Sequence, residues 1–198
     1  MTLIQDVRRQ RIVDAAIDCL ATTGWHGTTL AKIAQGAGIS RGLISYHFTG
    51  RDNLYEAVLE TVVDTVFGAG AQAMAPMLEA EPTAVGKLRA YIGQNLLFMS
   101  QHRREMVALN EIFLNFRRPD GSLRFDTADE EPIIAGTAAL FEFGHSTGEF
   151  GSADFRTQAY FLRRCIDAAA YRIAREPDFD VSAYAAELTT LFLRGLRP

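Results

Sequence analysis

Residues 28–51 read TTLAKIAQGAGISRGLISYHFTGR, and this stretch holds the residue types best placed to do chemistry on a partner. Two short helical spans flank Gly36-Ala37-Gly38, the arrangement a DNA-reading helix-turn-helix requires. Thr28 or Thr29 is placed to cap the first span, which reaches about Gln35, and Ser40 to cap the second, which ends at Tyr46 or His47. Ala34 is small where the helices would cross, and Gly38 can supply a positive φ in the turn. Ile33, Ala37, Ile39 and Ile44 are spaced to form a compact core between them. The outer face of the second span carries Ser40, Arg41, Gly42, Ser45 and Tyr46. Small and hydroxyl residues let a backbone approach a groove closely. Arg41 can reach a guanine edge or a phosphate, and Tyr46 a phosphate or a thymine methyl. Glycine-joined helix pairs are common in helical proteins, so this pattern alone leaves other roles open.

The elements that must hold this segment also read as helices. Ile12, Ala16, Cys19 and Leu20 follow helical spacing, which predicts an amphipathic helix over roughly Gln5 to Thr23 that stops at Gly24. Thr49-Gly50-Arg51-Asp52 matches a capping box, opening a long helix through Leu54, Val58, Val62 and Val66, with Pro76 and Pro82 bracketing its end. Val85, Leu88, Ile92, Leu96 and Met99 mark another helix, and Met106, Phe113 and Leu114 the next. Residues Arg117 to Glu131 are polar and aperiodic and read as a flexible loop. Pro132 suits the first turn of a helix to about Gly144, and two closing helices open near Ser152 or Asp154 and near Asp180 or Ser182. No strand or repeat is signalled, so the fold class is all-α: a three-helix module at 1–50, then a larger helical domain at 51–198, about nine helices in all.

Composition narrows the class. The chain has 198 residues, 48% apolar and 22% charged, an ordinary globular make-up rather than a disordered or fibrous one. Two cysteines give no disulfide framework, no apolar run is long enough to span a bilayer, and the N-terminal residues lack the apolar core of a signal peptide. A soluble cytoplasmic protein is expected, with no membrane partner. The formal charge is −4, yet residues 1–55 hold six bases against four acids, which directs any nucleic-acid contact to this quarter of the chain.

Residues 9–60, RQRIVDAAIDCLATTGWHGTTLAKIAQGAGISRGLISYHFTGRDNLYEAVLE, resemble the DNA-binding module of TetR-family transcriptional regulators. The features that carry the resemblance are Thr23-Gly24-Trp25, Thr28-Thr29, Ile33-Ala34, Gly38-Ile39-Ser40, Tyr46-His47-Phe48 and Arg51 followed by Leu54. The resemblance implies that Thr28 and Thr29 hold phosphates, that Ser40, Arg41, Gly42 and Ser45 face the major groove, that Tyr46 and His47 close on the backbone, and that Arg51 pairs with a phosphate. Family members often carry an aromatic residue where this chain has Ser45, which implies fewer or water-mediated base contacts there.

Several of these residues have plainer readings. Phe48 and Trp25 read as packing residues. His47 fits a hydrogen-bonded helix terminus as well as a DNA contact. Arg8, Arg9 and Arg11 could touch phosphates or be solvated. Cys19 reads as apolar filler, and Cys165 as an inert thiol rather than a redox sensor. His26, His47, His102 and His145 show no ligand spacing, the Asp129-Glu130-Glu131 run reads as solvated, and no catalytic motif stands out, so no metal, cofactor or catalytic residue is expected.

The closing helices each carry two apolar stripes. On the first, Phe155, Ala159, Leu162, Ile166 and Ile173 oppose Phe161, Cys165 and Ala168. On the second, Val181, Ala185, Leu188 and Phe192 lie beside Tyr184 and Leu191. A helix apolar on two sides must bury both, so Phe161, Cys165, Ala168, Tyr184, Leu188 and Leu191 are candidates for a homodimer interface, unless one protomer buries both faces. A dimer would let two short helices read a palindrome. The central helices are rich in adaptable and aromatic residues. Phe67, Tyr91, Phe98, Met99, Phe113 and Phe141, with the polar Asn95 and Asn110 set among them, are candidates to line an effector pocket; ordinary core packing with local hydrogen bonds is the plainer alternative. The expected protein is thus a ligand-responsive DNA-binding regulator, a repressor released from operator DNA by a small hydrophobic or aromatic effector. The alternative is an all-α enzyme or small-molecule-binding protein whose N-terminal helices do not bind DNA.

Overall fold

A computed structural model describes residues 3–124 and 130–198. In chain order the helices are α1 (Leu3–Gly27), α2 (Leu30–Ala37), α3 (Arg41–His47), α4 (Arg51–Val62), a π-helical turn (Val63–Gly68), α5 (Ala69–Ala80), α6 (Ala84–Gln101), α7 (Arg103–Asn115), α8 (Glu131–Ser146), α9 (Phe155–Arg175) and α10 (Val181–Gly195). With α4, the π turn and α5 taken as one run, nine helices are present among the described residues, which form no strand beyond one isolated bridge. No described helix is long and apolar enough to cross a membrane.

The chain divides into two compact units. The first gathers residues up to Phe67 with Arg103–Arg124, and the second the remainder. This packing unit takes in α4 and α7 and so is wider than the segment 1–50 in which DNA contact is expected.

In the first unit α1 is the central helix, packed against α2, α4 and α7. Ile12, Val13, Ala16, Ile17 and Leu20 are buried along one face, and Cys19 lies with them as a small filler. The helical path breaks at Gly24, which takes φ 67, ψ 179, a region L-side chains avoid. Leu54, Val58, Val62 and Val66 are buried as their spacing predicts. The expected capping box is not formed. Gly50 is the N-cap of α4 with no side-chain hydrogen bond, so Thr49 does not cap it. The stripe assigned to α7 also needs correction, since Leu114 is 52% exposed and the buried face is Met106, Leu109 and Ile112. Residues 116–124 form a tight turn rather than a flexible loop: Arg118 N–H donates to Ser122 O, Arg124 N–H to Phe116 O, and Asp120 accepts from both the backbone N–H and the hydroxyl of Ser122. The remainder of that expected loop, residues 125–129, lies outside the described residues.

In the second unit α6 is central and touches α5, α8, α9 and α10, with Leu88, Ile92, Leu96 and Met99 buried along it. Its first turn is closed by two side chains. Thr83 Oγ1 accepts from Gly86 N–H, and the Glu149 carboxylate accepts from the N–H groups of Ala84 (2.8 Å) and Val85 (3.1 Å). Phe141 stacks parallel on Phe192, with ring centroids 6.2 Å apart. Pro76 sits inside α5, so the helix continues four residues beyond it. Glu130 pairs with Arg164 and Glu131 with Arg156, so these two acids are ion-paired rather than merely solvated; Asp129 lies outside the described residues.

Candidate nucleic-acid interface

Local sequence sets the geometry of the helix pair. Thr29 Oγ1 accepts from Lys32 N–H and caps α2, and Ser40 Oγ accepts from Leu43 N–H and caps α3. Gly38, at φ 64, closes α2: its N–H and that of Ile39 satisfy the carbonyls of Gln35 and Ala34. Ile33, Ala34, Ala37, Ile44 and Phe48 are buried, whereas Ile39 is only half-buried.

With α3 anchored on this core, its outer face carries Ser40, Arg41, Gly42, Ser45 and Tyr46, all exposed. Tyr46 is 68% exposed, and its hydroxyl accepts from Gln5 Nε2 at 3.2 Å. Thr29 is also exposed. The Arg11 guanidinium lies against Gly38, and Arg9 sits over the Phe48 ring at 5.1 Å, so both arginines flank the helix pair. His47 is half-buried, edge-on to Tyr46, with Nε2 buried and unpartnered among the described residues. It does not form the hydrogen-bonded terminus through that atom.

Two residues expected at phosphates are engaged by contacts within the first unit. Thr28 is 1% exposed, and its hydroxyl and its N–H both donate to Gly24 O. The Arg51 guanidinium stacks over the rings of Trp25 and Tyr55 and donates to the Trp25 carbonyl. Sequence spacing gave no sign of either orientation, because both depend on where α1 ends.

The candidate effector residues are divided between the units. In the first, Phe67 and Phe113 are half-buried, and Asn110 Nδ2 is buried without a hydrogen-bond partner among the described residues. In the second, Asn95 Nδ2 donates to Tyr91 O (2.8 Å) and to Met74 Sδ (3.6 Å), the Tyr91 and Thr137 hydroxyls hydrogen bond at 3.1 Å, and Phe98 packs against Gly70. Met99 and Phe141 are buried core residues. A cleft of about 350 Å³ lined by Arg89, Gly93, Ala185, Thr189 and Leu193 opens between α6 and α10, and it includes none of these candidates. Its sequence signal is the pairing of small residues, Gly93 on α6 with Ala185 and Thr189 one turn apart on α10.

The candidate interface residues separate cleanly by exposure. Phe161 and Leu191 are 52% and 62% exposed, and Ala168 is exposed. Cys165 and Tyr184 are half-buried, with the Tyr184 hydroxyl donating to Cys165 O at 2.8 Å. Leu188 belongs to the protomer's own core. Burial pushes the Cys165 thiol above its ordinary pKa, which keeps it protonated.

A capped helix pair with a small-residue outer face, carried on an all-helical body, has the geometry of a helix-turn-helix DNA-binding protein. Residues 12–58 match the model of the bacterial regulatory proteins of the tetR family. The chain is 30% identical over 176 residues to the HTH-type transcriptional regulator BetI of Burkholderia thailandensis, covering 79% of this chain and 89% of that protein. It is 35% identical over 159 residues to BetI of Burkholderia mallei, covering 70% and 80%. Among solved structures, a TetR-like transcriptional regulator from Rhodococcus sp. RHA1 superposes with a TM-score of 0.74 at 25% identity, over 96% of this chain and 95% of that one. FadR from Bacillus subtilis, solved in complex with stearoyl-CoA, shares the fold with a TM-score of 0.74 at 19% identity, over 95% and 99%. The chain belongs to the TetR family and is a DNA-binding transcriptional regulator.

Proposed function

We propose that this protein is a cytoplasmic homodimeric repressor, not an enzyme, that reads a palindromic operator through residues 1–50 and is released by a small hydrophobic or aromatic effector bound by residues 51–198. The observation that carries the reading is the outer face of α3. Ser40, Arg41, Gly42, Ser45 and Tyr46 are exposed together on a capped helix whose other side is pinned to a buried core. Thr29 and His47 flank that face and serve as backbone contacts. The excess of bases in residues 1–55 adds local attraction to DNA in a chain that is acidic overall.

Dimerisation through α9 and α10 is supported by Phe161, Ala168 and Leu191, which leave an apolar strip uncovered in the protomer. An apolar effector is supported by the aromatic and methionine side chains of the second unit, among them Phe98, Tyr91 and Met74, with Asn95 hydrogen-bonded to the Tyr91 carbonyl and to Met74 Sδ. The stearoyl-CoA bound by the Bacillus subtilis FadR is of the same chemical kind at its acyl end. An effector acts here only through a difference in its affinity for the DNA-competent and DNA-incompetent states.

The test is footprinting of the purified protein on its own upstream intergenic DNA and on genomic fragments, with competitor DNA at near-physiological salt. Protection of a pseudo-palindrome is expected. A folded dimer that protects no fragment overturns the reading. Loss of the footprint on adding apolar compounds then identifies the effector class.

A further inference from the structure

The backbone of Trp25 is gripped on both sides, at its own N–H and its own carbonyl, by charged side chains from two other helices of the first unit. Its N–H donates to Glu111 Oε2 of α7 at 2.8 Å, and its carbonyl accepts from Arg51 Nη2 of α4 at 2.9 Å. Arg51 Nε also donates to the Tyr55 hydroxyl at 2.9 Å. The guanidinium lies 4.8 Å from the Trp25 ring centre and 5.0 Å from that of Tyr55, which are themselves 4.7 Å apart. Phe116 closes the cluster at 6.0 Å from Trp25. Gly24 makes the grip possible. Its φ of 67 turns the chain so that the next N–H faces α7, and a Cβ there would stand 3.4 Å from Glu111 Oε2.

The position of this grip in the chain gives it consequence. Gly24 O accepts from the N–H and hydroxyl of Thr28, and Thr29 then caps α2. The clamped residue is therefore the point from which the DNA-reading pair leaves α1. Hydrogen bonds to ionised groups are the stronger kind, and here one of each sign holds the two successive peptides that flank the Trp25 Cα. The planar fork of Arg51 stacks and donates twice at once, which an ammonium cannot do.

We infer that Glu111 and Arg51 are positioning residues for operator recognition, and that Arg51 serves this clamp rather than a DNA phosphate. The inference rests on the proposed α3 reading face but adds residues outside it. Two signs separate it from ordinary electrostatics. Removing the Glu111 charge from a DNA-binding unit would by itself tighten binding, whereas losing the clamp weakens it. Removing a phosphate contact would lower the slope of log affinity against log salt by about 0.9 per contact, whereas losing the clamp lowers affinity with the slope unchanged.

The experiment measures operator and non-specific affinity over a salt series for wild type, Glu111→Gln, Glu111→Leu, Arg51→Lys and Arg51→Leu. Emission of Trp25, the single tryptophan of the chain, is recorded for each. Glu111→Gln keeps a carbonyl acceptor and is expected to retain most of the operator preference. Glu111→Leu, with the same charge change, is expected to lose about tenfold in the ratio of operator to non-specific affinity. Both Arg51 variants are expected to lose a similar factor at unchanged salt slope, with Trp25 emission shifted in Glu111→Leu and in both Arg51 variants. A purely structural role would lower Tm without changing that ratio in the folded protein. The inference is overturned if Glu111→Leu binds as tightly as Glu111→Gln, or if Arg51→Lys is wild-type while Arg51→Leu loses slope. Should Glu111→Leu not fold, Arg51→Lys decides alone, since it keeps the charge and most of the stem. Wild-type operator binding in the same series shows whether the reading face itself stands.

Discussion

Arg41 is the first residue of α3 and is exposed, one position after the Ser40 cap, where a side chain can enter a groove ahead of the helix. Its neighbours Gly42 and Ser45 are too small to reach far, so the proposed reading assigns most of the direct readout on this face to Arg41. Arg41→Ala is expected to weaken operator binding by about tenfold or more while changing non-specific affinity little, as competition footprinting would measure. Equal loss on both DNAs would make Arg41 a phosphate contact and move base readout elsewhere. At this scale the sequence is readable where the cause is local. Thr29, Ser40 and Gly38 act on residues within a few positions, and their types announce it. Thr28 and Arg51 were not readable in the same way. Thr28 is a threonine beside a capping threonine, yet its hydroxyl is taken by Gly24; Arg51 opens a helix, yet its guanidinium is held by a residue 26 positions earlier.

The helices show the same division. Periodicity located the buried face of α1, α4, α6, α9 and α10, because each repeats every three or four residues against a continuous core. It misplaced that of α7, where Leu114 and Phe113 drew attention from Leu109 and Ile112, and it gave no sign of the π turn at Val63–Gly68. Thr83 is a local cap of α6, but the other half of its closure lay beyond any local signal, since Glu149 reaches the N–H groups of Ala84 and Val85 across more than sixty residues. Those two hydrogen bonds hold the Glu149 carboxyl below its ordinary pKa. A depressed carboxylate stabilises the fold above the unfolded value, about 4.3, and the contribution is lost as pH falls through the folded value. Glu149→Gln is therefore expected to lower Tm at neutral pH and to flatten the fall of Tm between about pH 5 and 3. Parallel profiles for the two proteins would show that the carboxylate charge is not what holds the turn. Packing sets a second condition on the same turn. A Cβ on Gly144 of α8 would come within 2.1 Å of Phe150 and 2.8 Å of Ala84. Gly144→Ala is expected to cost about 1–3 kcal/mol in denaturant unfolding, and a neutral result would mean that Phe150 can leave its place freely.

For the whole molecule, one α3 face offers too few base contacts to single out a site, and the overall charge of −4 gives little general hold on DNA. The proposed dimer answers both limits by linking two heads, so that the second binds at the effective concentration set by the first. The uncovered strip of Phe161, Ala168 and Leu191 is the surface with the apolar character to do so, and its exposure supplies a clean variant. Because Phe161 is half exposed in the protomer, Phe161→Asp removes little from the protomer's own core, while placing a charge that a buried interface cannot solvate. Sedimentation is expected to show dimer for wild type and monomer for the variant, with Tm changed only as far as dimer association contributes to it. Operator affinity is expected to fall by about a hundredfold or more, while single-head, non-specific binding persists. A variant that stays dimeric and keeps its footprint would move the interface off this strip. A variant that becomes monomeric yet binds the operator as tightly as wild type would remove the need for two heads altogether.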